Sequence, residues 1–117
     1  MKKKNIIKSK FEYTEIIKKS KYIKNKYFVI YFRQNDSNNR YGISIPTKTG
    51  KAHIRNKIKR RLKNIIDNNQ INIQNSYDYV IIVRKSIVEL NYQQMENNFL
   101  ALIEKMGENK WKKDQQK

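Results

Sequence analysis

The chain has 117 residues, enough for one two-layer core and too few for two. It carries 27 Lys and Arg against 10 Asp and Glu, a formal charge of +17 and an isoelectric point near 10.1, the balance expected of a nucleic-acid-binding domain. There is no cysteine, which excludes disulfides, thiolate catalysis and thiolate zinc sites, and apolar runs such as Val80-Ile81-Ile82-Val83 are all far too short for a membrane span. Met1-Lys2-Lys3-Lys4 is followed by no apolar stretch that would make a signal peptide, so a cytoplasmic protein without a membrane partner is expected. With 38% hydrophobic and 11% aromatic residues in periodic segments, the chain reads as folded and not disordered.

In chain order, residues 8–20 place Phe11, Tyr13, Ile16 and Ile17 at helical spacing and predict a first helix. Tyr22-Ile23 is a short β-prone stretch, Asn25-Lys26 a turn, and Tyr27 to Phe32 a strand built of aromatic and β-branched residues. A polar loop, Gln34 to Asn39, leads to a strand from Arg40 to Ile45, which Pro46 ends. A long basic helix then runs to about Asn68. Tyr79 to Val83 reads as a strand buried on both faces. Tyr92 to Met106 closes the chain as a helix, with Gly107 as its stop. Residues 1–107 form the expected domain, and residues 108–117, with Trp111, a flexible basic tail. The order is α-β-β-β-α-β-α, an α+β, two-layer α/β sandwich on a four-stranded mixed sheet.

The basic helix is the most informative segment. Ile54, Ile58, Leu62, Ile65 and Ile66 make an apolar seam, and Arg55, Lys59 and Lys63 make a cationic stripe beside it, with Asn56 and Arg60 adjacent. No Asp or Glu falls between Asp36 and Asp67. Like charges four residues apart on a helix repel by a few tenths of a kcal/mol per pair, so a polyanion is needed to offset the stripe. Arg61 falls inside the apolar arc and is expected to snorkel at its edge.

No stand-alone active site can be assembled. His53 is the only histidine, and a structural or phosphate-adjacent role suits it better than catalysis. The ten acids are scattered, unlike the clustered carboxylates of a two-metal nuclease. The rings of Tyr13, Phe28 and Tyr31 are open to two readings. Val29 and Tyr31 share one face of their strand, Phe28 and Ile30 the other; one face must be core, and the other can be an aromatic groove for unpaired bases.

The run Arg55-Asn56-x-x-Lys59-Arg60, preceded by Pro46-Thr47-Lys48-Thr49-Gly50-Lys51-Ala52, resembles the signature of the bacterial ribonuclease P protein component. Phe28 to Tyr31, Arg40 to Ile45 and Asp78 to Arg84 resemble that family's later strands, so the likeness covers nearly the whole chain. There are departures: Lys63-Asn64 stands where the family usually has Arg-Glu, Thr47 replaces a usual lysine, Tyr13 a usual phenylalanine, and Ile17 a position that can be aromatic.

The resemblance implies an endonuclease that removes the 5′ leader from precursor tRNA, acting only as a holoenzyme with a catalytic RNA that binds most of the Mg2+. It implies one protein per RNA subunit and a left-handed strand-helix-strand crossover, against the usual hand. By position, Lys48, Lys51, Arg55, Asn56, Lys59, Arg60 and Lys63 would meet the RNA subunit. Tyr13, Ile17 and Tyr31 would line a cleft for the single-stranded leader. A ribosomal or ribosome-assembly RNA-binding protein is the alternative; a helix-turn-helix DNA binder fits the β-rich middle poorly, and a stand-alone nuclease would have to cut without RNA.

Self-repulsion at +17 should leave the free protein marginally stable, and an anion that binds only the native state should stabilise it. Circular dichroism across a sulfate titration is expected to show rising structure and melting temperature; a flat response would refute the claim.

Overall fold

The structure is a computed structural model that describes the backbone of residues 1–115 and the side chains of residues 1–106. Two runs of β-branched and aromatic residues pair at the centre of its sheet: β2 (Phe28–Gln34) lies antiparallel to β4 (Tyr77–Val83) over seven residue pairs. β1 (Lys21–Lys24) pairs antiparallel with the outer side of β2, and β3 (Arg40–Ser44) pairs parallel with β4, giving the order β1-β2-β4-β3. The parallel β3–β4 pair is joined through α2 (Ala52–Asn68). The other helices are α1 (Lys10–Lys19) and α3 (Tyr92–Gln115).

Side chains alternate along a strand, and the pairing register sorts them into two faces. Phe28, Ile30, Tyr41, Tyr79, Ile81 and Val83 face α2 and α3 in the main core, where Phe28 is fully buried edge-on against Phe99. From α2 come Ile58, Leu62, Ile65 and Ile66, all buried as their spacing predicts. From α3 come Met95, Phe99, Leu102, Ile103 and Met106. Sheet and these two helices make the two layers. Truncating a ring as buried as Phe28 would cost about 3–5 kcal/mol.

The second face is only partly covered. α1 crosses it, packing Ile16 and Ile17 against Tyr31, Val80 and Ile82. Ser9 caps α1 by accepting the Glu12 amide at 3.3 Å. Ahead of α1, Ile6 bridges to Tyr41 and the Ile7 amide donates to the Tyr41 carbonyl at 2.9 Å, which protects the β3 edge and buries Ile7.

Most boundaries shift by one or two residues from the sequence reading, and two of the differences matter to the fold. The last helix does not stop at Gly107 but runs through it to Gln115, since one glycine inside a helix costs only about 1 kcal/mol. For the expected flexible tail, backbone is described as far as Gln115, and the side chains, including Trp111, lie outside the described residues. The strand at 79–83 begins two residues earlier, at Tyr77, bringing Asp78 into the sheet.

Asp78 anchors α1. Its side chain is almost wholly buried on the α1 face, flanked in register by Arg33 of β2 and Arg40 of β3. Arg40 donates to both carboxylate oxygens at 2.9 Å, Arg33 Nε donates at 3.1 Å and Asn35 at 2.8 Å. Arg40 also donates to Glu12 of α1 at 2.6 Å, and Arg33 lies 3.6 Å from Glu15. Burial alone would raise the Asp78 pKa, but the hydrogen bonds from Arg40, Asn35 and Arg33 outweigh it and hold it below the usual carboxylate range.

Asp78→Asn should therefore cost about 2–3 kcal/mol, less than a fully buried pair because both arginines keep about a third of their surface in water. A depressed folded-state pKa contributes stability that is complete above roughly pH 4 and lost as pH falls through the folded value. Urea denaturation from neutral pH to about pH 2 should show a shallower acid loss in Asp78→Asn than in the parent. Identical acid profiles would mean that the cluster adds nothing to the fold.

Candidate nucleic-acid interface

α2 starts where a helix normally prefers acids and a side-chain cap, and it has neither. Lys51 occupies the cap position without a capping hydrogen bond, and the first turn contains no Asp or Glu. Lys48, in the short 3₁₀ turn Thr47–Thr49, and Arg55 add further cations near the positive end of the helix dipole. The Nε of Arg55 donates to the Gly50 carbonyl at 3.2 Å, which fixes the guanidinium and leaves its other N–H groups unused. Free amides and fixed cations together favour a phosphate.

Further along α2, Asn56, Lys59, Arg60 and Lys63 line an open cleft of about 290 Å³ with Asn64 and Asp67. Among the described residues, none of Lys48, Lys51, Arg55, Lys59, Arg60 and Lys63 forms an ion pair. All seven residues of the basic set thus lie on or just before one helix, alongside its buried seam. Arg61 is half-buried at the edge of the core, as its wheel position predicts, and His53 is exposed on the first turn.

The second set also comes together. Tyr13, Ile17 and Tyr31 are half-buried in one cluster with Ile7, Ile16, Val80 and Ile82. This resolves the two readings of the β2 aromatics: Phe28 is core, and Tyr31 lies on the partly open face. Rows of paired residues cross this face. Arg33, Asp78 and Arg40 form one; Tyr22, Tyr31, Val80 and Gly42 the next; Lys24, Val29, Ile82 and Ser44 a third. Val29, Ile82 and Ser44 are all half-buried, forming a floor beside α1.

Tyr13 has a second duty. Its ring sits directly on Gly42, where an added Cβ would collide with the ring carbon Cε2. Its hydroxyl is buried beside Ser44 without a hydrogen bond of good geometry, and burial pushes its pKa up, Ser44 opposing this only in part. A cavity of about 140 Å³ is lined by Tyr13, Gly42 and Ile43 on one side and Lys59 and Lys63 on the other. The two surfaces therefore meet around the β3 edge.

Sequence reasoning missed Tyr22, the Asp78 cluster and the ring seat at Gly42. A glycine inside a strand pattern is a signal of close approach; the Asp78 partners lie 38 and 45 positions away and had no local signal. Gly42→Ala should displace Tyr13, costing about 1–3 kcal/mol as overpacking does. In sulfate, Gly42→Ala should disturb the α1 face and leave α2 as in the parent. Equal amide chemical-shift changes on both faces would contradict this separation.

No helix among the described residues is long and apolar enough to cross a membrane, and no three His, Cys, Asp or Glu side chains among them gather as a metal set. The profile of the family described as Ribonuclease P matches residues 1–107. A ribonuclease P protein component of Mycoplasma capricolum is 44% identical over 108 residues, covering 91% of this chain and 99% of that protein. The solved RNase P protein of Thermotoga maritima superposes with a TM-score of 0.79 at 32% identity, covering 85% of this chain and 94% of that one. That of Staphylococcus aureus gives 0.79 at 28% identity, with coverage of 86% and 93%. The order of elements and the four-stranded mixed sheet are thus a shared fold, and the chain belongs to the ribonuclease P protein family.

Proposed function

We propose that this chain is the protein subunit of a cytoplasmic ribonuclease P, one copy per catalytic RNA, which assists removal of the 5′ leader from precursor tRNA. The observation that carries this reading is the pair of chemically distinct surfaces meeting at β3. α2 offers unpaired cations and free amides, chemistry suited to a folded RNA backbone. The α1 face offers rings and aliphatic floor, chemistry suited to unpaired bases whatever their sequence.

The protein's part is electrostatic and positional. Cations on α2 lower the repulsion between the catalytic RNA and precursor tRNA, and so lower the magnesium needed to bring them together. The cations Lys24, in the third row, and Arg84, just past the end of β4, lie on one flank of α1, while the other flank holds the Arg33–Asp78–Arg40 cluster with Glu12 and Glu15. The leader phosphates would track the first flank, with bases turned onto Val29, Ile82 and Tyr31. Precursor gains these contacts and mature tRNA does not, which biases the enzyme toward substrate.

Magnesium would be held mainly by RNA phosphates. In this chain the carboxylates of Glu12, Glu15 and Asp78 are engaged by Arg33 and Arg40, so they do not fit a cation site, and no step is assigned to a protein-bound metal. A ribosomal or assembly protein would use α2 in the same way but has no use for the cleft.

Separate variants test the two surfaces. Lys59→Ala and Arg60→Ala should weaken binding to the RNA subunit and flatten its salt dependence by about one unit of slope per lost phosphate contact. Tyr31→Ala should weaken precursor binding by about 1–3 kcal/mol, roughly five- to 150-fold, and spare mature tRNA, with Tyr31→Phe retaining affinity. Wild-type discrimination by a folded Tyr31→Ala protein would rule out this cleft as the leader site.

A further inference from the structure

Tyr22 is an aromatic residue on an edge strand that keeps 53% of its surface in solvent. Edge strands in water are usually blunted with charge or kept short, and β1 does carry Lys21 and Lys24. A large ring between them is unexplained by packing, because Tyr22 belongs to neither buried cluster. It does have one specific neighbour: β1 pairs with β2 so that Tyr22 lies opposite Tyr31, and their rings are 5.4 Å apart at 44°.

Tyr22 therefore continues the row that runs from Gly42, under the Tyr13 ring, through Val80 and Tyr31. Neighbouring strands are about 4.8 Å apart, so Tyr22 extends the cleft floor by one full strand beyond Tyr31. From α1, Tyr13 is seated on Gly42 and Ile17 presents only aliphatic surface, so the ring in direct contact with that of Tyr31 comes from β1. The surroundings match an anionic ligand: Lys18, Lys19, Lys21 and Lys24 are all exposed and none forms an ion pair among the described residues. A solvent-facing ring among cations suits a base with its phosphate; an apolar protein partner would have to desolvate those lysines.

We propose that Tyr22 is a base-stacking residue that, with Tyr31, forms a two-ring platform seating one further unpaired nucleotide of the leader at the β1 edge. The proposal rests on the reading of the α1 face as the leader cleft. It adds a position to that site and makes the advantage of precursor over mature tRNA depend on leader length.

The test is a binding titration of the reconstituted holoenzyme, RNA subunit plus protein, with precursor tRNAs whose leaders are shortened one nucleotide at a time. Tyr22→Ala and Tyr22→Leu should each weaken long-leader precursor by about five- to tenfold, the lower part of the range for ring–base stacking, and Tyr22→Phe should bind as the parent. The loss should vanish at a leader length where that of Tyr31→Ala persists. If Tyr31→Ala shows its loss while both Tyr22 variants match the parent at every length, the Tyr22 platform is refuted and the cleft stands. If Tyr22→Leu weakens precursor and mature tRNA alike, the ring is structural and the proposal also fails. If Tyr31→Ala discriminates as the parent does, the cleft reading itself falls and takes the platform with it.

Discussion

Strands β2 and β4 are paired over seven residues, and the alternation of side chains along them decides which groups are dry and which stay open to solvent. Both strands are apolar on both faces, so neither face could be left bare. One receives α2 and α3 and becomes the main core. The other receives a single ten-residue helix, α1, which cannot cover it. The half-covered remainder is the cleft. Its existence follows from an imbalance between two apolar sheet faces and the helices available to bury them.

A lone amphipathic helix on such a face needs a fixed position, and the Asp78 cluster supplies one. Hydrophobic contact between Ile16, Ile17 and the sheet is nondirectional and would tolerate sliding. The arginines of β2 and β3, locked on a buried carboxylate, present fixed donors to Glu12 and Glu15, which makes the docking directional. The same cluster makes the two flanks of α1 unlike. Two arginines face three carboxylates on one flank, whereas Lys24 and Arg84 lie toward the other strand ends. One arrangement of charge thus both holds the helix and gives its two sides opposite character.

Features set by local periodicity were legible in the sequence. The α2 seam of Ile58, Leu62, Ile65 and Ile66 and the cationic side next to it could be read residue by residue, and the element order follows from pattern and turns. The choice of face on β2 could not be read, because Tyr31 and Phe28 are equally suited to a core. Only the position of α1 separates them. Tyr13, Ile17 and Tyr31 came from family resemblance, and their gathering into one cluster depends on strand order. Adjacency of β3 and β4, which brings Arg40 to Asp78 and Gly42 beneath Tyr13, arises from a long crossover and leaves no short-range trace. Tyr22 was readable as β-prone, but its use depends on register with Tyr31. The burial of Ile7 likewise needs the bridge to Tyr41, which a basic N-terminal run does not announce.

Charge is distributed so that stability and binding are divided between the two sides of the molecule. Three of the ten acids are spent within the Arg33–Arg40 cluster, so the α1 face carries its own compensation. α2 carries little: its one acid, Asp67 near the C-terminal end, is taken by the N-terminal ammonium, its first turn lacks an acid and a cap, and its cations have no ion-pair partners among the described residues. Repulsion along α2 is offset within the chain only by burial of its apolar seam. A polyanion seated on α2 would supply that missing countercharge and so relieve an internal cost as well as make new contacts. β3 and the small cavity shared by Tyr13, Lys59 and Lys63 connect the two faces, so a ligand on α2 would lie against the wall on which α1 and its rings are set.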